Sequence, residues 1–170
     1  EEQDITLDSI GFNQVEALVT GQEEAVVVYA NTAPLQLEAR GYPVNVIRVA
    51  DYVTLASNGL LTNESTLAGN PELVRKMVRA TLRGLEDTID DPEAAFEIAK
   101  NYIEGLGQLS ESDQDLQRRV LAESIEFWKA ERLGYSDPRA WENMQDLLLE
   151  MDLLTEPLDL DQAFSNEFLP

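Results

Sequence analysis

Nine residues in the early part of the chain carry side chains suited to holding a small molecule: Phe12, Asn13, Gln14, Tyr29, Asn31, Asp51, Tyr52, Ser57 and Asn58. Their chemistry is hydrogen bonding and ring contact. Phe12, Asn13 and Gln14 stand where a helix opens, and backbone N–H groups at a helix start favour an anion or a hydrogen-bond acceptor. Tyr29 offers a flat ring and a hydroxyl, and Asn31 offers a donor and an acceptor together. Asp51 can pair with an amine. The same residues also have plain structural readings. Asn13 suits a helix N-cap, and Tyr29 suits a core ring with Asn31 as a cap. Asp51 and Ser57-Asn58-Gly59 suit turns.

Bond-making chemistry has little to draw on. The 170 residues contain no His and no Cys. Thiolate nucleophiles, His general bases, disulfides and Cys/His zinc sites are therefore excluded within this chain. The acidic residues are scattered, and no D-x-[DN]-x-[DN]-G loop occurs. We assign no catalytic residue, no metal ligand and no cofactor, and we do not expect an enzyme.

The elements that must position these residues alternate at first between strand and helix. Ile5–Ile10, Ala25–Tyr29 and Val44–Val49 are rich in apolar and β-branched residues and are expected as strands. A helix after Asn13 carries Val15, Leu18 and Val19 and stops at Gly21. A second, opened by Thr32 and Pro34, carries Leu35 and Leu37 and closes at Gly41. The expectation is a short parallel βαβαβ unit, whose strand C-terminal ends form the edge where open α/β sheets bind ligands.

From Asn70 onward the pattern is helical. Asn70-Pro71-Glu72, Asp91-Pro92-Glu93 and Asp137-Pro138 each combine a capping side chain with Pro at the first helical position. Between the last two, Leu116, Val120, Leu121, Ile125 and Trp128 mark another helix, ending near Gly134. Trp128 and Trp141 lie on apolar stripes and are expected in the core. Pro157 ends the last long helix, with one further turn expected over 161–164. These wide apolar faces exceed what three short strands can cover. A missing N-terminal region, or a second copy, is expected against the exposed apolar surface.

Net charge is −21, from 33 acidic and 12 basic residues. Such a surface repels phosphate backbones and anionic headgroups, so nucleic acid is not an expected partner. No run approaches the ~20 apolar residues that span a bilayer. Glu1-Glu2-Gln3-Asp4 shows neither the basic nor the apolar region of a signal peptide.

Several segments, in order, resemble the NMT1/THI5-like solute-binding proteins. They are Gly11-Phe12-Asn13-Gln14-Val15-Glu16-Ala17-Leu18 with Gly21-Gln22, then Ala25-Val26-Val27-Val28-Tyr29-Ala30-Asn31. Asp51-Tyr52-Val53 and Ser57-Asn58-Gly59-Leu60-Leu61-Thr62-Asn63-Glu64 follow. Asn70-Pro71-Glu72, Asp91-Pro92-Glu93-Ala94-Ala95 and Gly134-Tyr135-Ser136-Asp137-Pro138 with Trp141 and Met144 complete the series. Glu23-Glu24 departs from the family, many of whose members have a hydrophobic residue and Asp there.

This resemblance implies an α/β, type II periplasmic-binding-protein-like fold, here partial: a short parallel βαβαβ lobe followed by a mostly helical C-terminal half. Residues 1–60 would be most of lobe two, and 61–170 the returning helices of lobe one. The implied function is the substrate-binding component of an ABC importer, with the transporter permease as partner. The implied ligand is a small organic molecule, foremost a thiamine-precursor pyrimidine, whose edge Asn31 suits. Sulfonates, nitrate and taurine are the alternatives within the family. A pyrimidine-synthesising enzyme of the THI5 type is another, although fungal relatives of that kind use His and a Cys-rich motif. The implied location is periplasmic or extracellular, with the full-length protein anchored to the membrane.

Overall fold

The computed structural model describes residues 5–170; Glu1–Asp4, on which the signal-peptide reading falls, lie outside the described residues. The chain divides into two compact units. One holds the described residues up to Val46 together with Gly105–Ser124, and the other holds Ile47–Glu104 and Ile125–Pro170.

In the first unit, α1 (Gln14–Val19) and α2 (Ala33–Ala39) are both short. Each is followed by a left-handed glycine, Gly21 (φ 72°) and Gly41 (φ 81°). Here the chain reverses at no steric cost, because glycine lacks the Cβ that penalises positive φ. Ala17, Ala33, Leu37 and Leu106 are the unit's buried apolar residues. A 3-10 turn, Leu106–Gln108, precedes α6 (Glu111–Trp128), whose residues up to Ser124 belong here. Arg119 of α6 bonds Glu38 of α2 at 2.6 Å, with both side chains largely exposed.

The second unit is built on α4 (Pro71–Asp90), which packs against α3 (Glu64–Gly69) and α5 (Pro92–Ala99). The capping reading is realised here. Asn70 Oδ1 accepts from Leu73 N at 3.2 Å and Asp91 Oδ1 accepts from Ala94 N at 3.0 Å. Asp137 accepts from Arg139 N at 3.0 Å, opening α7 (Pro138–Glu150). Each carboxylate or amide oxygen satisfies an N–H that the helix itself leaves without a partner. A 3-10 turn at Leu160–Gln162 stands close to the final turn expected from the sequence.

The core of this unit holds Leu82, Phe96, Ile125 and Ala140. Trp141 stacks on Phe164 with ring centroids 5.1 Å apart and planes 7° from parallel. Its indole N–H donates to Ser136 Oγ at 2.9 Å. Trp141 and Trp128 are only half-buried, so both contribute to the core at its margin. Gly134, at φ 78°, sits against Leu82 and Leu169, and a Cβ built there would lie 2.5 Å from Leu82 Cδ2.

The expected sheet is absent. No strand occurs among the described residues, which are about 52% helical. The βαβαβ lobe, and with it the α/β type II periplasmic-binding-protein-like fold, is therefore corrected to a helical chain with irregular connecting segments. The residues of Ile5–Ile10, Ala25–Tyr29 and Val44–Arg48 form no ladder, and Val49 enters a 3-10 turn, Val49–Asp51. The physical reason is that β-branched composition reports how well a residue fits a pleated, half-buried surface, not an intrinsic drive to form one. A strand needs a paired neighbour, and here Val27 is 89% and Ile47 79% exposed. Ala25–Tyr29, expected to be buried on both faces, is accordingly the reverse of a central strand.

Candidate functional site

Without a sheet there is no common strand edge to collect the nine candidate residues, and they fall into two sets. Phe12, Asn13, Gln14, Tyr29 and Asn31 belong to the first unit; Asp51, Tyr52, Ser57 and Asn58 belong to the second.

In the first set, the turn before α1 is held by its own side chains. Gln14 Nε2 donates to Gly11 O at 2.7 Å. Asn13 occupies the N-cap position, but its side chain makes no capping bond; its carbonyl accepts from Ala17 N at 2.9 Å. The capping role suggested by its residue type is thus not taken up by its amide. Phe12 is fully exposed.

The next loop is more ordered. Thr32 N donates to Tyr29 O at 3.2 Å, closing a turn over Tyr29–Thr32. Tyr29 is 66% exposed, so it is not the core ring of the plain structural reading. Asn31 does not cap α2, whose N-cap is Thr32. Instead Asn31 Nδ2 donates to Ser124 Oγ at 2.8 Å, and Asn31 Oδ1 accepts from Thr32 Oγ1 at 3.1 Å. Ser124 is buried, and its hydroxyl donates to Val120 O at 2.7 Å. Sequence reading did not single out Ser124. A signal existed: it lies one turn beyond Val120 and beside Ile125, a polar residue on the apolar stripe of α6.

In the second set, Asp51 ends the 3-10 turn Val49–Asp51 and is exposed, as is Tyr52, whose N–H donates to Val49 O at 3.0 Å. This supports the turn reading of Asp51. Ser57 and Asn58 are exposed and follow a segment tied to α7. There Asn143 Nδ2 donates to Thr54 O at 2.9 Å and Ala56 N donates to Ala140 O at 3.3 Å.

A concavity of about 320 Å³, open to solvent, lies elsewhere in the second unit. Glu86, Ile89 and Asp90 of α4 face Lys129, Ala130 and Leu133 across it. Lys129, just beyond the end of α6, is paired with Glu126 of that helix. None of the candidate residues lines this concavity. Among the described residues, no three carboxylates gather closely enough to hold a metal ion, and no helix is long and apolar enough to cross a membrane.

The side chains of the two sets offer amide donors and acceptors and exposed aromatic rings, but the structure does not gather them at one place. Residues 1–95 match the NMT1/THI5 like family, and the chain belongs to that family. Three curated relatives are similar across nearly all of it. The riboflavin-binding protein RibY of Chloroflexus aurantiacus is 43% identical over 99% of this chain and 49% of its own length. The formylaminopyrimidine-binding protein of Halalkalibacterium halodurans is 25% identical over 96% of this chain and 51% of its own. The 4-amino-5-hydroxymethyl-2-methylpyrimidine phosphate synthase of Legionella pneumophila is 24% identical over 95% and 50% respectively. The chain thus spans about half the length of the curated relatives it matches. No solved structure matches it.

Proposed function

We propose that this chain is part of a solute-binding protein for a planar nitrogen heterocycle, with riboflavin as the first ligand to test. The observation that carries this reading is the 43% identity to a riboflavin-binding protein across 99% of the chain. Chemistry supports it. A flavin presents a broad aromatic face and a pyrimidinedione edge with an N–H between two carbonyls. Within the first unit, Phe12 and Tyr29 offer exposed rings for the face, and the amide of Asn31 offers a donor and an acceptor for the edge.

The second reading is a single-ring pyrimidine, including a thiamine precursor. It is favoured by the formylaminopyrimidine-binding relative, at 25% identity. Both readings describe binding without turnover. The synthase relative keeps an enzymatic reading in the family. Delivery to an ABC transporter permease from outside the cytoplasmic membrane belongs to the same proposal.

The test is titration of the protein against riboflavin, followed by quenching of flavin fluorescence, with aminopyrimidines as competitors. Saturable quenching that excess pyrimidine fails to reverse supports the flavin reading. Thermal stabilisation by pyrimidines without any flavin quenching transfers the proposal to the second ligand. A ligand at about 100 times its Kd stabilises by about 2.7 kcal/mol, a shift easily read. No response to either class refutes the proposed function.

A further inference from the structure

We infer that Ser124 is a positioning residue for ligand binding, acting by fixing the side-chain amide of Asn31; this rests on the proposed binding function. The two residues are 93 positions apart in sequence and meet at 2.8 Å. Ser124 is 6% exposed, so its hydroxyl has no ready alternative partner in water. That hydroxyl has one proton, and it is committed to Val120 O at 2.7 Å. Ser124 Oγ can therefore only accept from Asn31. An acceptor there forces the NH2 end of Asn31 inward and its carbonyl end toward Thr32 Oγ1, 3.1 Å away.

The amide is consequently locked in one of its two flipped orientations. It retains one N–H and one acceptor lone pair beyond the bonds just described. A ligand edge meets a donor and an acceptor in fixed order and need not select among rotamers, which lowers the entropy lost on binding. With Ser124 replaced by Ala the Asn31 amide loses its anchor. Both flips then become accessible, and one of them offers the ligand like groups where complementary ones are needed. Tyr29 opens the turn in which Asn31 sits, so its ring position relaxes with it.

The experiment compares riboflavin affinity, by fluorescence quenching, for the unsubstituted protein, Ser124→Ala, Ser124→Thr, Asn31→Ala and the Ser124→Ala/Asn31→Ala double variant. Circular dichroism verifies that each is folded. Loss of one oriented hydrogen-bonding group predicts about tenfold weaker binding for Ser124→Ala. Ser124→Thr, which keeps the hydroxyl, should restore affinity to within about twofold. The double variant should bind no more weakly than Asn31→Ala alone, because Ser124 acts only through Asn31. Unchanged affinity in Ser124→Ala overturns the inference, as do multiplicative losses in the double variant. Absence of flavin and pyrimidine binding by the unsubstituted protein overturns the proposed function itself, and with it any ligand role for Ser124.

Discussion

Replacing Gly134 by Ala probes the most closely packed glycine described in the second unit. Gly134 has φ 78°, and an added Cβ would lie 2.5 Å from Leu82 Cδ2 and 3.3 Å from Leu169 Cδ2. Two costs follow. An L-residue in the left-handed region loses about 1–2 kcal/mol, partly offset by the roughly 0.4–1 kcal/mol that Ala removes from unfolded-chain entropy. The contact with Leu82 is the second. Leu82 is buried, so its methyl group moves only by displacing neighbours, and overpacking of this kind costs about 1–3 kcal/mol. The sum is about 1–5 kcal/mol. In urea, with a slope of about 2 kcal/mol per molar, the midpoint should fall by about 0.5–2 M at unchanged slope. A double-mutant cycle separates the two costs. Leu82→Val removes the δ-methyl that meets the new Cβ, itself costing about 1 kcal/mol. In that background Gly134→Ala should cost only the backbone share, near 1 kcal/mol or less. An equal penalty in both backgrounds would refute the packing argument and leave backbone strain as the whole effect.

Two further substitutions test the elements that frame the units. Asp91→Ala removes the side-chain oxygen that accepts from Ala94 N at 3.0 Å and should cost about 1 kcal/mol in urea unfolding; restoration by Asp91→Asn would confirm capping, not charge, as its role. Trp141→Phe keeps the stack on Phe164 but deletes the donor to Ser136 Oγ, and should cost about 1 kcal/mol by thermal unfolding, with Phe164→Leu in the same background measuring the stack separately.

Much of the helical architecture was legible because its signals are local. Asn70, Asp91 and Asp137 each precede a Pro at the first helical position, and each caps as read. The same chemistry opens α3, where Asn63 Oδ1 accepts from Thr66 N at 2.8 Å, yet Asn63-Glu64 went unread as a start because no Pro follows. The expected strands failed for the opposite reason. Ala25–Tyr29 is apolar and β-branched, but pairing is a property of two segments, and one segment's composition does not supply the other. Of the candidate residues, the contact that Asn31 makes was not legible. Asn31 stood out by type, while its hydrogen-bond partner Ser124 lies 93 positions away on α6. Its one local mark was a hydroxyl on an apolar helical stripe, where a buried polar group demands a partner.

Charge bears on which ligand the proposed function should favour. A net charge of −21 sets up a negative potential around the protein, which lowers the local concentration of anions and raises that of cations and neutral solutes relative to them. Sulfonates and nitrate, expected alternatives from the family resemblance, would have to overcome that field with a local cluster of cations. The candidate set supplies none: its nine side chains are amides, hydroxyls, aromatic rings and one carboxylate, Asp51. Arg40 and Arg119 in the first unit are each paired with a carboxylate, Glu16 and Glu38. Under the proposed function riboflavin, which carries no charge, meets the field without penalty and takes its affinity from area and hydrogen bonds. Within the proposed function, charge and side-chain inventory thus disfavour the anionic alternatives.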